Sequence, residues 1–212
     1  MVTLYQFPIS HYCEKIRWAL DYKNIEYQEK NLLPGFHMLT AKRLAPDTSL
    51  PILVDDGKAI QGSDRIITYL DETYPENNLT PEDGKLKAEA MEWENYADQE
   101  IGISIRRAYY HVLLDYPDVI IPLYTQKGPW YGTVLLKAVF PVLKMRMRAM
   151  MDINQDTARE SRKQLIAATE RISSHLQDHP FLVGEQFSRA DLAAASLLAP
   201  LFRLDQYGLN WP

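Results

Sequence analysis

Strand-like segments alternate with helix-like ones as far as Glu72, and after the stretch from Thr73 to Gly84 the strand signals largely vanish. That stretch carries Pro75, Asn77, Asn78, Pro81 and Gly84. These residues interrupt regular structure by removing a backbone donor, fixing φ, or tolerating left-handed backbone. A chain divided in this way cannot fold around a single continuous sheet. It reads as two domains, one of mixed strands and helices and one of helices packed on helices. The boundaries expected are 1–76 for the first domain, 77–84 for a linker and 85–212 for the helical domain.

Before the linker, Val2 to Phe7 reads as a strand that stops at Pro8, and His11 to Lys23 as a helix with Ile16, Ala19, Leu20 and Lys23 on one face. Ile25 to Glu29 is a strand candidate and His37 to Leu44 a short helix. Pro51-Ile52-Leu53-Val54 and Lys58-Ala59-Ile60 flank Asp55-Asp56-Gly57, a hairpin signal. Ser63 is expected to cap a helix through about Glu72. After the linker the pattern predicts four helices, over Lys85 to Tyr110, Val134 to Met151 with a kink at Pro141, Gln155 to Gln177, and Ser188 to Leu201.

Charge excludes one class of function. The chain of 212 residues has a formal net charge of −5, and splitting it at Asn78 leaves −3 and −2 on the two parts. Neither half concentrates the Lys and Arg that phosphate neutralisation needs, so no nucleic-acid partner is expected. Apolar runs are interrupted by Lys, Arg or Pro well before the roughly 18 residues of a membrane span, so no membrane association is expected. Met1 runs straight into a strand pattern, which predicts no secretory leader. The single cysteine, Cys13, cannot form an internal disulfide and suits a reducing compartment, the cytoplasm.

Three short segments could carry chemistry. Ser10-His11-Tyr12-Cys13 lies where the first strand turns into the first helix, a place where backbone N–H groups and the helix dipole stabilise an anion. Ser10 reads either as a plain helix cap or as a donor to such an anion. Cys13 shares a face with Ile16 and Leu20, which favours a buried small hydrophobe over a nucleophile. In Ser49-Leu50-Pro51-Ile52-Leu53 a proline opens a strand and belongs at an edge or turn. Gln61-Gly62-Ser63-Asp64 presents a hydroxyl and free N–H groups at another helix start, either a plain cap or a carboxylate site.

In this order the segments resemble the cytosolic glutathione transferase family across essentially the whole chain. Ser10 to Cys13 is similar to the family's Cys-Pro-Tyr-Cys or Ser-Pro-Tyr-Cys turn, and Glu14 to Leu20 continues the likeness. Ala45-Pro46 followed by Ser49 to Leu53 resembles its Asn-Pro and Val-Pro-x-Leu with a cis proline. Ile60-Gln61-Gly62-Ser63 with Ile66, Tyr69 and Leu70 resembles its Leu-x-Glu-Ser-x-x-Ile-x-x-Tyr-Leu. Phe187-Ser188-Arg189-Ala190-Asp191 is similar to the capping box and hydrophobic staple of a core helix.

The resemblance implies a thioredoxin-like first domain, an all-helical second domain, and conjugation of glutathione to a small hydrophobic electrophile. Glutathione is then a co-substrate, and neither cofactor nor metal is expected. Ser10 would donate to the glutathione thiolate. Glutathione-binding residues would be Tyr12, His37 for the glycyl carboxylate, the Leu50 backbone with a cis bond to Pro51, and Ser63 with the Gly62 backbone for the γ-glutamyl carboxylate. A homodimer is implied, with Asp98 reaching across to the glutathione amino group of the neighbouring site. The electrophile would lie between the domains, near Tyr109, Tyr110, Trp130 and Tyr131. The sequence departs from the pattern at His11 (usually Pro), Ala45 (usually Asn) and Gly62 (usually acidic or amide), and it ends at Trp211-Pro212, so a C-terminal lid would be short or absent. Two rival readings remain. One is a glutathione-dependent disulfide or peroxide reductase working through Cys13; the other is a non-catalytic binding module on the same fold.

Overall fold

The computed structural model describes residues 1–202. Its first strand, β1 (Val2–Gln6), uses the alternation in the sequence, with Val2, Leu4 and Gln6 buried and Thr3 and Tyr5 half-buried. Pro8 follows, where a missing N–H ends the ladder. The helix α1 (His11–Tyr22) carries the chain over the sheet to β2 (Tyr27–Asn31), which pairs with β1 in parallel. This strand begins two residues later than expected. Asn24 takes a left-handed φ of 53° and the Ile25 N–H bonds the Leu20 carbonyl at 2.9 Å, so both residues are spent closing α1.

After α2 (His37–Leu44) comes the expected hairpin of β3 (Ile52–Asp55) and β4 (Lys58–Gln61), turning on Asp56 and Gly57 at φ 45° and 86°. The strand order β2-β1-β3-β4 places β1 centrally, antiparallel to β3, while β4 forms an edge. The sheet leads into α3 (Ser63–Thr73). Here one expectation is corrected: Gly62, not Ser63, occupies the cap position, and no side chain caps this helix. Gly62 stands at φ 99°, which a side chain adopts only under strain, so glycine suits this position.

Beyond the linker every described element is helical: α4 (Gly84–Tyr96), α5 (Ile103–Leu113), α6 (Pro117–Thr125), α7 (Gly132–Met150), α8 (Gln155–Asp178) and α9 (Arg189–Phe202). The single long helix expected over Lys85 to Tyr110 is continuous but not uniform. Between α4 and α5, residues Ala97–Gly102 widen into a π-helical segment. Pro141 lies inside α7 as expected. Expectations about the chain after Phe202, including a short or absent lid, lie outside the described residues.

Two kinds of contact join the halves. Leu192 of α9 is buried in the same apolar cluster as Leu4, Ile16, Ile66 and Leu70. Ser188 and Asp191 form the expected box, the Asp191 carboxylate accepting from the Ser188 N–H at 2.9 Å and from the Leu182 N–H at 2.7 Å. Beside this lies a buried ionic cluster. Lys15 of α1 stands 2.8 Å from Glu94 and 2.9 Å from Asp98, while Arg189 of α9 pairs with Glu94 at 2.5 Å. Arg189 also donates to Thr68, Thr80 and the Asp64 carbonyl, tying α3, the linker and α4 to one side chain. Among the described residues no helix is long and apolar enough to cross a membrane.

Candidate active site

The turn before α1 is fixed from beneath. Arg17 donates to the Pro8 carbonyl at 3.1 Å, pairs closely with Gln6 and Glu14, and is itself buried. The Ser10 N–H bonds the Phe7 carbonyl at 3.0 Å, and its Oγ accepts the Cys13 N–H at 3.4 Å as the cap of α1. A hydroxyl that accepts a backbone N–H keeps its own hydrogen to donate. Ser10 lines the large cavity described below, so that hydrogen is available to a ligand there.

Cys13 faces the other way. It is fully buried, and burial pushes its thiol up, with the Ser10 side chain opposing in the second place. A buried protonated thiol is a poor nucleophile. In the folded protein Cys13 is therefore expected to react with an aromatic disulfide reagent on the order of 100-fold more slowly than in denaturant. Equal rates in the two states would return this thiol to the chemistry.

The cavity has a volume of about 980 Å³ and opens between the two halves. Ser10, Tyr12, His37 and Leu50 line it. The Leu50–Pro51 bond is cis, as the resemblance implied. The loop leading to it is braced by Gln61, whose amide bonds the Asp47 N–H at 3.1 Å, the Asp47 carbonyl at 3.0 Å and the Ser49 carbonyl at 2.8 Å. Sequence reading missed that role of Gln61, since its partners lie 12 to 14 residues away. His37 stacks edge-on against Phe7 with ring centroids 4.7 Å apart, and its buried Nδ1 has no hydrogen-bond partner among the described residues. Burial lowers its pKa, which favours the neutral imidazole.

Pro51, Gly62, Ser63 and Asp98 do not line the cavity. Pro51 and Gly62 are nonetheless joined, the Gly62 N–H donating to the Pro51 carbonyl at 3.2 Å, so the start of α3 follows directly from the Leu50 segment. Ser63 is buried in the first turn of α3. Both oxygens of Asp98 accept from Lys15, at 2.9 and 3.0 Å, so its charge is paired within its own chain. Of the aromatic residues named for the electrophile, Tyr109 and Tyr110 line the cavity, whereas Trp130 is 93% exposed and, like Tyr131, lies off it.

The π-helical segment is where α1 meets the long helix. Tyr12 donates to the Asp98 carbonyl at 2.6 Å, and His11 Nε2 bonds the Gly102 carbonyl at 2.9 Å. That partner requires the N–H on Nε2, and burial holds the imidazole neutral, with a pKa of about 4. The His11 departure is thereby explained, because a proline there could not make this bond. Gly102 is needed as well, since a Cβ would fall 2.3 Å from the Tyr12 hydroxyl.

The two halves match the two domain models of a single family, the glutathione S-transferase N-terminal domain over residues 4–78 and its C-terminal domain over residues 134–208. The chain belongs to the glutathione S-transferase family. The glutathione S-transferase TCHQD of Arabidopsis thaliana is 27% identical over 216 residues, covering 96% of this chain and 78% of that protein. The glutathione S-transferase U24 of the same plant is 31% identical over 111 residues, 51% of this chain and 50% of that relative. The chain thus spans about half the length of the first curated relatives it matches. Among solved structures, the beta-etherase LigF of Sphingobium sp. strain SYK-6 superposes with a TM-score of 0.73 at 22% identity, over 96% of this chain and 85% of that one. At that identity the likeness concerns the glutathione S-transferase fold alone.

Proposed function

We propose that this glutathione S-transferase family member conjugates reduced glutathione to a small hydrophobic electrophile. The observation that carries the reading is the Ser10 hydroxyl, capping α1 and lining a cavity of about 980 Å³ that Leu50 and His37 also line. The thiol of glutathione lies against Ser10, loses its proton to solvent, and is held as a thiolate by the hydroxyl and by the N-terminal N–H groups of α1. Sulfur then attacks the electrophilic carbon. The Leu50 backbone aligns the cysteinyl unit, and Ser63, with the backbone at Gly62, takes the γ-glutamyl carboxylate at the start of α3. His37 serves the glycyl end and Tyr12 borders the thiol.

Burial of Cys13 speaks against disulfide exchange by the protein's own thiol. Family membership supports a homodimer built on α3 and α4. A contact of Asp98 with the glutathione amino group of the neighbouring site belongs to the same proposal, with Lys15 holding that carboxylate in place from its own chain. A cytoplasmic location belongs to the same proposal and is supported by the lone cysteine.

Retention on immobilised glutathione, with elution by free glutathione, separates this reading from a module without a site. A panel of aryl halides, enones, disulfides and peroxides assayed with glutathione then identifies the reaction. Conjugation of aryl halides or enones is the expected result. Turnover confined to disulfides or peroxides would replace the transferase reading with the reductase one.

A further inference from the structure

The cavity holds a positive charge that the proposed handling of glutathione does not use. Arg106, on α5, lines the cavity beside Ile105, Tyr109 and Tyr110. Its Nε is buried and has no hydrogen-bond partner among the described residues. No ion pair reaches it there either, although Arg107, next in the chain, donates to the Met151 carbonyl at 3.2 Å and faces Asp152. A second guanidinium, that of Arg146, stands exposed on the cavity wall. Among the described residues the wall includes no Asp or Glu. The remainder is largely apolar, with Val139, Leu143 and Met147 on the α7 side.

Arg106 shares this cavity with Ser10, His11 and Tyr12. Burial dominates the shifted pKa values of His11, Tyr12 and Tyr110, and the charge of Arg106 acts on all three. Two of these residues adjoin Ser10. Arg106 is half-buried, and a guanidinium whose Nε is shut off from water loses hydration that an anion restores well, while its planar fork suits a carboxylate. In the reading above, the carboxylates of glutathione are held elsewhere, by α3 and by His37.

We propose that Arg106 binds an acidic group of the second substrate, so that the preferred electrophiles are apolar molecules bearing a carboxylate. This rests on the glutathione-conjugation reading for its chemistry, and the anion site itself is testable without turnover.

The test compares 4-chloro-3,5-dinitrobenzoate with its methyl ester. In both, the C–S bond forms as the C–Cl bond breaks, chloride leaves with the electron pair, and the thiol proton passes to solvent. With each rate divided by its uncatalysed rate, kcat/KM is expected to favour the acid by about 10- to 100-fold, the span of one charge-assisted hydrogen-bonded pair. In Arg106→Gln that preference collapses through KM for the acid, and Arg106→Lys restores part of it. An unchanged acid-to-ester ratio in Arg106→Gln overturns the proposal, as does a raised KM for glutathione with the ratio intact. In parallel, the unreactive 3,5-dinitrobenzoate and its methyl ester are titrated against tryptophan fluorescence. Tighter binding of the acid, weakened about 10-fold or more in Arg106→Gln, supports the anion site even if neither chloride is turned over, in which case only the conjugation reading fails. Equal binding of the acid by the unmodified protein and Arg106→Gln overturns the anion site whatever the conjugation assay gives.

Discussion

Ser10→Ala is expected to lower glutathione-conjugating turnover by roughly 10- to 1000-fold, the range for removing one preorganised donor to a developing anion. Only the hydroxyl is lost. The turn beneath it is held by Arg17 and by the Ser10 N–H bond to Phe7, and neither depends on Oγ. The helix loses its cap, a stability cost of about 1 kcal/mol that leaves the fold intact. Glutathione affinity should change little, because the other contacts proposed for it come from the Leu50 segment, the start of α3 and His37. The decisive measurement is the pH dependence of single-turnover conjugation, whose midpoint reports the bound thiol. In Ser10→Ala the midpoint should rise. An unchanged midpoint and rate would move the sulfur contact to another group, with Tyr12 and Tyr5 the nearest in sequence.

Glu94→Gln is expected to cost about 3–5 kcal/mol in stability, the penalty for leaving buried charge without its partner. Lys15 and Arg189 both bring full positive charge to Glu94, and all three side chains are almost completely enclosed. Asp98 can neutralise one cation, so the variant keeps one buried positive charge unmatched. The size of the effect reflects the missing partner and does not mean that the cluster outperforms apolar packing. Urea unfolding gives the value, and Glu160→Gln is the control, since its pair with Lys163 lies in solvent and should hardly matter. A loss below about 1 kcal/mol for Glu94→Gln would mean that water or rearrangement reaches the cluster.

How much could be read from the chain alone followed the range of the interaction. The Ser10 cap, the Asp56-Gly57 turn and the Ser188–Asp191 box are settled within a few residues, and the structure has each where the sequence predicts it. The division into a mixed half and a helical half was equally legible, because Pro and Gly in the linker act locally. Long-range pairs were not. Nothing near Asp98 in sequence announces its pairing with Lys15, 83 residues earlier. The bonds of His11 to Gly102 and Tyr12 to Asp98 span 91 and 86 residues, and so the π-helical segment was invisible. Trp130 and Tyr131 were named for their chemistry and turned out to lie off the cavity. Arg106 was overlooked although a signal existed, since Arg106, Tyr109, Tyr110 and Leu113 repeat at helical spacing and all line the cavity.

The widened segment also sets a phase. Each residue of an α-helix advances about 100° around its axis, so one residue accommodated in a π turn rotates everything downstream by about that angle. From Ile103 onward the orientation of α5 therefore depends on a local choice made at Ala97–Gly102. Ile105, Arg106, Tyr109 and Tyr110 are aimed at the cavity with this offset in place. A chain of the same scaffold lacking one residue there would turn a different set of side chains inward while keeping the same sheet. Insertion or loss of a single codon at this point is thus a means of exchanging one wall of the pocket wholesale, a larger step in specificity than any one substitution provides.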